Sequence, residues 1–394
     1  MIHRPLFLLL AALSAFAPLA IDLYLPSLGQ IASDLQTTGG RAEQTVTVFL
    51  AGFALGMLFY GPLSDRYGRR AMIFAGTSVF VAASVACMFA QTIEQLLLFR
   101  LVQAFGGGAA AVVARAVVRD LFSETDAARV MAMIGMVTSI APMLAPLLGA
   151  WVLLLGTWRH EFLVLALFGA LCIWGAYRLL PETLSKQRSQ ASLKLAFRGY
   201  AHVLRQPKSV TLIGIGGCHF AAMFAYITGT PLVYMGQFGV SEQQYALLFG
   251  ANIGSLMLFG WYSARSVKRQ GTSALIAKGN WFCAGGAVLV LLAAWVLPVG
   301  WVGLTTMVVG FLLCVGSLGL VAPNTMAQLL DAHPNNAGAA AALYGFSQFG
   351  LGSVASLTVT LLHDESARPL SLGVGVFAGL AWGFGWLLRN QHKQ

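Results

Sequence analysis

Asp22 is the acidic residue of this sequence whose position most needs a chemical explanation. The chain has 14 Asp and Glu residues, and we place all of them except Asp22 in connections between apolar stretches or at the ends of such stretches. An ionised carboxyl group at the centre of a bilayer costs about 2.5–3.5 kcal/mol on insertion scales. A carboxyl group that alternates between apolar and charged surroundings can bind and release a proton. The sequence therefore predicts a proton site at Asp22; the alternative is an acid near a helix end that faces water.

Arg100 also lies within an apolar stretch and is a candidate partner for Asp22. Asp22 precedes the end of the first stretch and Arg100 follows the start of the fourth, so both are expected roughly 5–8 Å below the same membrane surface. They pair only if the two helix faces meet; otherwise Arg100 extends to the interface, as long basic side chains do. Gln103 lies one turn further on, where it either lines a cavity or bonds a neighbouring helix.

The composition shows what must position these residues. Of 394 residues, 58% are hydrophobic and 10% are charged, whereas soluble domains carry about 25% charged residues. This excludes a soluble enzyme and a disordered chain. It also excludes a nucleic-acid binder despite the net charge of +10, because the basic residues form short clusters between apolar stretches. The five cysteines lie in apolar stretches without a C-x-x-C, so we expect no disulfide framework, metal site or cofactor.

Twelve apolar stretches are long enough to cross a bilayer as helices. They do not alternate in polarity as barrel strands would. We interpret the first stretch as a helix rather than a cleaved signal peptide, because it continues for about 20 residues. The predicted spans are 6–27, 44–63, 72–91, 95–117, 130–154, 162–180, 209–235, 243–263, 274–296, 301–323, 338–362 and 369–388.

The basic residues predict the orientation. The odd-numbered connections contain Arg41, Arg159 and Arg368, whereas the even-numbered connections and the termini contain many more basic residues. The positive-inside rule then places both termini in the cytoplasm. The longest polar segment, 182–208, is predicted to be a cytoplasmic linker between two six-helix bundles, 1–181 and 209–394.

A motif after the second span recurs in part after the eighth. Residues 61–70, here called the charged turn, read Gly-Pro-Leu-Ser-Asp-Arg-Tyr-Gly-Arg-Arg, and residues 260–269 read Gly-Trp-Tyr-Ser-Ala-Arg-Ser-Val-Lys-Arg. At an offset of 199 positions, glycine, serine and two arginines coincide. With the division into six and six spans, this favours a pseudo-symmetric transporter whose halves rock about a central cavity. We therefore predict an all-α polytopic membrane protein with 12 transmembrane helices in two bundles.

The charged turn resembles the helix 2–3 signature of the major facilitator superfamily, G-x-L-x-D-R-x-G-R-R, at every fixed position. Trp158-Arg159 and Pro181-Glu182-Thr183, on either side of the sixth span, are also similar to this superfamily. Three further stretches resemble its bicyclomycin-resistance (Bcr/CflA) family of drug:proton antiporters, although that family usually has glycine where Ala145 stands. They are Asp22-Leu-Tyr24-Leu-Pro26, Val118-Arg119-Asp120-Leu121 and Ala145-Pro146-Leu-Leu-Gly149.

This resemblance implies a major facilitator fold and proton-driven efflux of small, chemically varied drugs across a bacterial inner membrane. It assigns Arg100 to proton coupling. It also implies that the charged turn gates the cytoplasmic side, with Asp65 pairing with a basic residue across the seam between the bundles in the outward-open state. Positive-inside anchoring would explain the arginines of the turn but not Asp65. The gating candidates in the turn are Gly61, Asp65, Arg66, Gly68, Arg69 and Arg70.

The fifth span supplies three more gating candidates, Pro142, Pro146 and Gly149. Two missing backbone hydrogen bonds are expected to bend this helix. The bend either flexes during transport and shapes a seam, or is a static kink. In the fourth span, the small residues at 106–111 predict close packing between helices.

A drug cavity should be apolar and aromatic, with a few polar groups. Tyr344 and Gln348 are four residues apart and share a helix face. Each polar candidate alternatively bonds a neighbouring helix or lies at an interface. The candidates for the substrate cavity are Tyr24, Gln103, Phe220, Tyr226, Asn252, Tyr344 and Gln348. Six tryptophans near span ends predict interfacial belts: Trp151, Trp158, Trp261, Trp295, Trp301 and Trp386.

These observations predict a monomer in the lipid of a bacterial inner membrane that exports small antibiotics, such as bicyclomycin-, chloramphenicol- or sulfonamide-like drugs, in exchange for H⁺. The alternative is proton-coupled transport of a metabolite such as a sugar or an amino acid. ATP is not the expected driver, because the sequence contains no G-x-x-x-x-G-K-[ST]. An enzyme is not expected either, because H-E-x-x-H and G-x-S-x-G are absent.

Overall fold

The computed structural model describes residues 4–122, 124–184, 193–362 and 366–391. Within these ranges the chain is helical and contains no β-strand. The chain divides into two compact units, Met1–Gly199 (unit 1) and Tyr200–Gln394 (unit 2). Helices lie at all twelve predicted positions, since each apolar stretch satisfies its backbone hydrogen bonds within its own segment.

Unit 1 begins with three short helices and continues with longer ones. Its helices are α1 (Arg4–Ser14), α2 (Phe16–Asp22), α3 (Leu28–Asp34), α4 (Gly39–Tyr67), α5 (Arg69–Met88), α6 (Ile93–Leu121), α7 (Glu124–Leu155) and α8 (Trp158–Leu179). A 3₁₀ turn at Leu25–Ser27 connects α2 and α3. The next helix, α9 (Leu193–Leu204), crosses the boundary between the units. It occupies part of the predicted linker; linker residues 185–192 lie outside the described residues.

Unit 2 consists of six longer helical segments, the fourth of which is divided at Ser317. Its helices are α10 (Pro207–Pro231), α11 (Glu242–Gln270), α12 (Thr272–Trp295), α13 (Trp301–Gly316), α14 (Leu318–Ala332), α15 (Ala337–Leu361) and α16 (Arg368–Gln391). A π-helical turn at Leu232–Gln237 extends α10. The core of the unit is formed where α10 packs against α15 and α16, and where α12 packs against α13.

The helices are long and apolar enough to make the chain a multi-pass membrane protein. In the described part of the chain, nine segments qualify individually as spans, and two bent helix pairs raise the number to eleven. The remaining predicted position, 338–362, is occupied by α15, which is rich in small residues and therefore less apolar. Bulky side chains exposed on these helices, such as Leu155, Leu247 and Trp301, suit contact with lipid.

The first predicted span, which the structure extends over Pro5–Asp34 and which we call helix 1, is not one continuous helix. The segments Pro5–Ser14 and Phe16–Asp34 meet at an angle of 47°, and α2 ends at Asp22. Each helix end lies four residues before a proline, Pro18 or Pro26. Proline has no N–H, so the carbonyl group four residues earlier loses its helical partner. The prediction of a single helix over 6–27 was therefore wrong, and the segment continues to Asp34.

The bend predicted in the fifth span is confirmed. The segments Met133–Pro142 and Leu144–Leu155 of α7 meet at 46°, as two prolines four residues apart should cause. Whether the bend changes during transport stays a prediction.

The small residues of the fourth span pack as expected. A Cβ at Gly56 would lie 2.5 Å from the Phe105 carbonyl oxygen, and a Cβ at Gly108 would lie 2.9 Å from the Gly56 backbone. At Gly106 a Cβ would lie 2.6 Å from the Gly76 carbonyl oxygen. Helices α4, α5 and α6 therefore touch backbone to backbone, a packing that requires residues without bulky side chains.

One tryptophan assigned to an interfacial belt is in the core instead. Trp158 is fully buried, and its indole N–H donates to Asp34 Oδ2 at 2.9 Å. Its backbone N–H donates to Gln30 Oε1 at 3.0 Å. Trp158 thus fastens the start of α8 to α3, whereas the other five tryptophans of the set are more than half exposed.

Candidate functional site

Arg100 is held inside unit 1 by neutral groups. Its side chain is fully buried, and its two Nη atoms donate to Gln103 Oε1 at 2.6 Å and to the Ala20 carbonyl oxygen at 2.9 Å. The guanidinium carbon lies 4.3 Å from the ring centres of both Tyr24 and Phe49. Cation–π contacts stabilise a desolvated guanidinium. The alternative in which Arg100 extends to the interface is therefore not what the structure shows.

Gln103 and Tyr24 extend this cluster to neighbouring helices. Gln103 Nε2 donates to Ser84 Oγ on α5 at 2.7 Å. The Tyr24 hydroxyl bonds Thr45 Oγ1 on α4 at 2.9 Å. Both predicted cavity residues are fully buried, so in this structure they act as bonds between helices, the alternative given for them above.

Asp22 does not form the ion pair predicted with Arg100. The carboxyl group is 4% exposed, and the ion pairs of the described residues do not include it. Instead of the Asp22 carboxylate, the Arg100 guanidinium bonds the backbone carbonyl of Ala20 on the same helix. Asp22 is thus a buried carboxyl group that no described contact joins to Arg100.

Two further carboxyl groups are buried in unit 1, and the sequence did not single them out. Glu43, near the start of α4, is 5% exposed, and Glu161, in the first turn of α8, is fully buried. Ser27 Oγ donates to Glu161 Oε2. Both residues were assigned to the ends of spans, because hydropathy alone does not show which side of a helix end faces the protein. Asp22 is therefore not the sole buried acid of unit 1 in the described part of the chain.

The charged turn forms a compact ionic network around Arg69. The Arg69 guanidinium pairs with Asp65 Oδ1 at 2.6 Å and with Asp120 Oδ2 at 3.0 Å, and it donates to Ser64 Oγ at 2.6 Å. Arg69 is 2% exposed and Asp120 is 7% exposed, whereas Asp65 is 46% exposed. Asp65 thus binds a cation within its own turn; a partner across the seam stays a prediction.

Glu182 completes this network and caps α5. Its carboxylate accepts the backbone N–H groups of Arg69 at 2.9 Å and Arg70 at 3.2 Å. A carboxylate at a helix N-terminus satisfies otherwise unpaired N–H groups and interacts favourably with the helix dipole. Gly68, which precedes α5, has φ +102, and a Cβ there would overlap the Glu182 carboxylate. The sequence offered a signal for Glu182, in Pro181-Glu182-Thr183, but not for its role as a cap.

The remaining residues of the charged turn have smaller parts in the network. The Gly61 carbonyl accepts from Ser64 Oγ at 2.8 Å. Arg70 Nη2 donates to the Tyr177 carbonyl of α8 at 3.0 Å. Arg66 is exposed and lies over the Tyr67 ring at 5.3 Å. In the fifth span, Gly149 allows the Leu23 carbonyl oxygen to approach α7, because a Cβ there would overlap that oxygen.

Unit 2 contains a corresponding turn, but not where the sequence repeat placed it. Helix α11 ends at Gln270, and Gly271 has φ +79, just as α4 ends at Tyr67 before Gly68. The equivalent glycine is therefore 203 positions later, and the offset of 199 was wrong by about one helical turn. We call residues 264–273 the second turn. Gln328 Nε2 donates to Thr272 Oγ1 and Ser273 Oγ there, both at 2.9 Å.

The cavity candidates of unit 2 form two groups. Asn252 Nδ2 donates to the Tyr226 hydroxyl at 3.0 Å, joining α11 to α10. Asn252 Oδ1 is buried without a hydrogen-bond donor among the described residues. The Tyr344 hydroxyl bonds Thr325 Oγ1 at 2.7 Å, joining α15 to α14.

The last two candidates are less enclosed. Phe220 packs against Phe224 and Phe349, with ring centres 5.0 and 4.9 Å apart. Gln348 is half-buried, one turn beyond Tyr344 on α15. The assignment of these residues to a substrate cavity stays a prediction.

These features define a class of protein. Two helical units, broken helices and buried ionisable groups between helices are typical of secondary transporters. The sequence profile of the Major Facilitator Superfamily matches residues 10–357. The chain belongs to this superfamily and is a transporter, not an enzyme, and the predicted fold class is confirmed.

Individual relatives agree with this assignment. The chain is 30% identical over 371 residues to a bicyclomycin resistance protein homolog of Haemophilus influenzae, covering 93% of this chain and 92% of the relative. It is 29% identical over 385 residues to multidrug resistance protein D of Escherichia coli, covering 96% and 94%. The fold is similar to that of the xylose transporter XylE from E. coli, with a TM-score of 0.71, 16% identity, and coverage of 96% and 95%.

Proposed function

We propose that this protein exports small antibiotics from the bacterial cytoplasm in exchange for protons. The observation that carries the proposal is the environment of Asp22. Its carboxyl group is buried and has no ion-pair partner among the described residues, and it lies on the helix whose Ala20 carbonyl accepts from the buried Arg100 guanidinium. A carboxyl group in such a place has few ways to stay charged unless water or a cation reaches it. Relatives named for bicyclomycin and multidrug resistance support an antibiotic as the substrate.

The cycle follows from this arrangement. With Asp22 ionised, the inward-facing protein binds the drug; the protein then turns outward, the charged turn closes the cytoplasmic side, and the drug leaves. A proton from outside neutralises Asp22 and favours the return. One charge that moves down 100 mV supplies about 2.3 kcal/mol, enough for a gradient of more than about tenfold per proton. In this scheme the protein is a monomer with both termini in the cytoplasm.

The substrate test compares growth of an efflux-deficient bacterial strain with and without the protein. The panel contains bicyclomycin, chloramphenicol and a sulfonamide, each with and without a protonophore. We expect higher resistance to at least one drug, lost with the protonophore. No change for any drug, combined with proton-coupled uptake of a sugar or an amino acid by the purified protein in liposomes, would support the metabolite alternative instead.

The proton role is tested with Asp22→Asn. This variant cannot release a proton from residue 22, so we expect resistance to fall to that of the empty strain while the protein remains in the membrane. Asp331→Asn, at an exposed aspartate near the end of α14, is the matched control and should keep full resistance. Normal resistance from Asp22→Asn would refute proton coupling through Asp22, whatever the substrate.

A further inference from the structure

The surroundings of Glu161 in unit 1 are unfavourable for an ionised carboxyl group. The residue is fully buried in the first turn of α8. One carboxyl oxygen, Oε2, accepts from Ser27 Oγ. The other, Oε1, is buried and has no hydrogen-bond partner among the described residues. An unsatisfied buried oxygen is costly, and more so when it carries charge.

The Leu23 carbonyl faces the same small space and is also without a helical donor. The N–H groups three and four residues later would normally bond it. The first of these positions is Pro26, which has no N–H, and the second is Ser27, whose N–H donates to the Tyr24 carbonyl at 2.9 Å. The carbonyl oxygen lies against Gly149 of α7. A Cβ at Gly149 would overlap this oxygen and would lie 3.3 Å from Glu161 Oε1.

Two acceptors therefore both lie against Gly149, and the hydrogen bonds of the described residues give neither of them a donor. A proton on Glu161 Oε1 supplies the missing donor, because a protonated carboxyl group has one O–H. Oε2 then remains an acceptor for Ser27. One proton satisfies both orphaned oxygens, whereas an ionised Glu161 sets negative charge against a carbonyl dipole.

The surrounding charges do not offer a substitute for this proton. The segment Asp22–Asp34 contributes Asp22, Tyr24 and Asp34, α4 contributes Glu43, and α6 contributes Arg100. The Arg100 Nη atoms are directed to Ala20 and Gln103, and Arg100 Nε is buried without a hydrogen-bond partner among the described residues, so it bonds neither Glu161 nor the Leu23 carbonyl.

On the other described elements, the cations are paired or lie at distant helix ends; on α4, Arg41 pairs with Glu94 at 2.8 Å. On α8 itself, Arg159 pairs with Asp34 at 3.4 Å, and His160 Nδ1 accepts from the Thr157 N–H. The ionisable residues of α7 and the arginines of α5 lie at the ends of those helices away from Gly149. The described ion pairs do not include Glu161.

We propose that Glu161 is a second proton-binding group, which holds its proton between Oε1 and the Leu23 carbonyl and thereby joins the break in helix 1 to α7 and α8. Loss of the proton leaves two acceptor oxygens facing each other and loosens the contact at Gly149. Leu23 is adjacent to Asp22, so the state of Glu161 sets the position of the carboxyl group that the proposed transport cycle uses. Proton binding itself does not depend on that cycle.

The test is infrared difference spectroscopy of the full chain in detergent, without substrate. A protonated carboxyl group gives a C=O stretching band that a carboxylate lacks. We expect this band in the wild type at neutral pH, and a loss equal to a single carboxyl group in Glu161→Gln. Glu94→Gln, at an exposed glutamate in the first turn of α6, should leave the band unchanged. The proposal is overturned if Glu161→Gln has the same C=O band at neutral pH as the wild type.

Ser27→Ala provides a second test if Glu161→Gln does not fold. It keeps the carboxyl group but removes the hydroxyl that donates to Oε2 and stabilises the ionised form. The band should then persist to higher pH than in the wild type. An identical titration of the band in the two proteins would contradict the assignment.

The effect on helix 1 is tested by hydrogen exchange of peptides covering 23–34. At one alkaline pH, the wild type should exchange faster than Glu161→Gln, whose amide can still donate to the Leu23 carbonyl. Equal exchange overturns the link to helix 1. None of these measurements requires transport, so a failure here is distinct from a failure of the antiport proposal.

Discussion

The charged turn and the second turn share a backbone but not a chemistry. Both include the end of a helix of 29 residues, α4 or α11, and both pass through a glycine with positive φ. In the charged turn, Arg69 is bonded to Asp65 and Asp120. In the second turn, the same end of the unit is fastened by neutral bonds from Gln328 to Thr272 and Ser273.

The two turns show that this internal repeat preserves the backbone conformation of the turn more strictly than the side chains that stabilise it. Glycine is retained because few other residues adopt positive φ without strain. The ionic network is found in one of the two turns, which favours a role there beyond holding two helices together. Substitutions at matching residues of the two turns measure how much more the ionic network contributes to stability than the neutral hydrogen bonds do.

The largest effect is expected for Arg69→Met. Two carboxylates lose the cation they share, one of them Asp120, which is 7% exposed. Breaking a buried ion pair by removing one partner costs about 3–5 kcal/mol. Thr272→Ala, the equivalent position of the second turn, removes a single neutral hydrogen bond worth about 1 kcal/mol. Thermal unfolding of both variants in one detergent checks the contrast, and equal shifts would remove the asymmetry.

The next effect separates the two glycines. Gly68→Ala forces positive φ on alanine, at about 1–2 kcal/mol, and also drives a Cβ into the Glu182 carboxylate. Gly271→Ala has the same backbone strain, but a Cβ there meets open space. We expect Gly68→Ala to lower the unfolding temperature more than Gly271→Ala does. A larger loss from Gly271→Ala would mean that Glu182 does not restrict this turn.

A smaller loss of stability is expected when the neutral hydrogen bonds of the second turn are removed. Gln328→Ala removes two hydrogen bonds of 2.9 Å, each worth about 0.5–1.5 kcal/mol. Asp120→Asn, its counterpart in the charged turn, leaves Arg69 with one carboxylate fewer and should cost more. The comparison uses the same unfolding measurement, and a reversed order would contradict it.

The smallest effect is a pH dependence confined to unit 2. His333 Nε2 bonds Ser209 Oγ at 2.6 Å. Burial and the nearby His202 lower the pKa of His333 from its ordinary value of 6.5. The neutral form is therefore favoured by folding, and stability should be complete above about pH 6.5 and fall as the pH drops through the lowered value.

His333→Asn should flatten this slope. The measurement is the unfolding temperature from about pH 8 to about pH 5. A slope that persists in His333→Asn would assign the pH dependence to other groups.

The sequence was a good guide to the helices. Each span is encoded by its own residues, through hydropathy that needs no knowledge of neighbours. The bend of α7 followed from its prolines for the same local reason. The break of helix 1 was just as readable, since Pro18 and Pro26 lie four residues after Ser14 and Asp22.

The site was less predictable, because it depends on which helix faces meet. Asp22 and Arg100 lie on suitable helices, yet Arg100 bonds the Ala20 carbonyl rather than the Asp22 carboxylate. Glu161 was overlooked because a carboxylate at the edge of an apolar stretch normally faces water. The two halves were aligned with an offset of 199 instead of 203. Residues four apart lie on the same helix face, so similar residue types match in both alignments.

The backbone contacts of α4, α5 and α6 have a mechanical consequence for unit 1. Where two helices contact each other through glycine backbones, neither helix can slide or rotate without a steric clash between the main chains. These three helices form a stiff frame. Helix 1 and α7 are more flexible, because each lacks some main-chain hydrogen bonds at its prolines. Any deformation of unit 1 is therefore concentrated beside Leu23 and Gly149, within reach of Asp22 and Glu161.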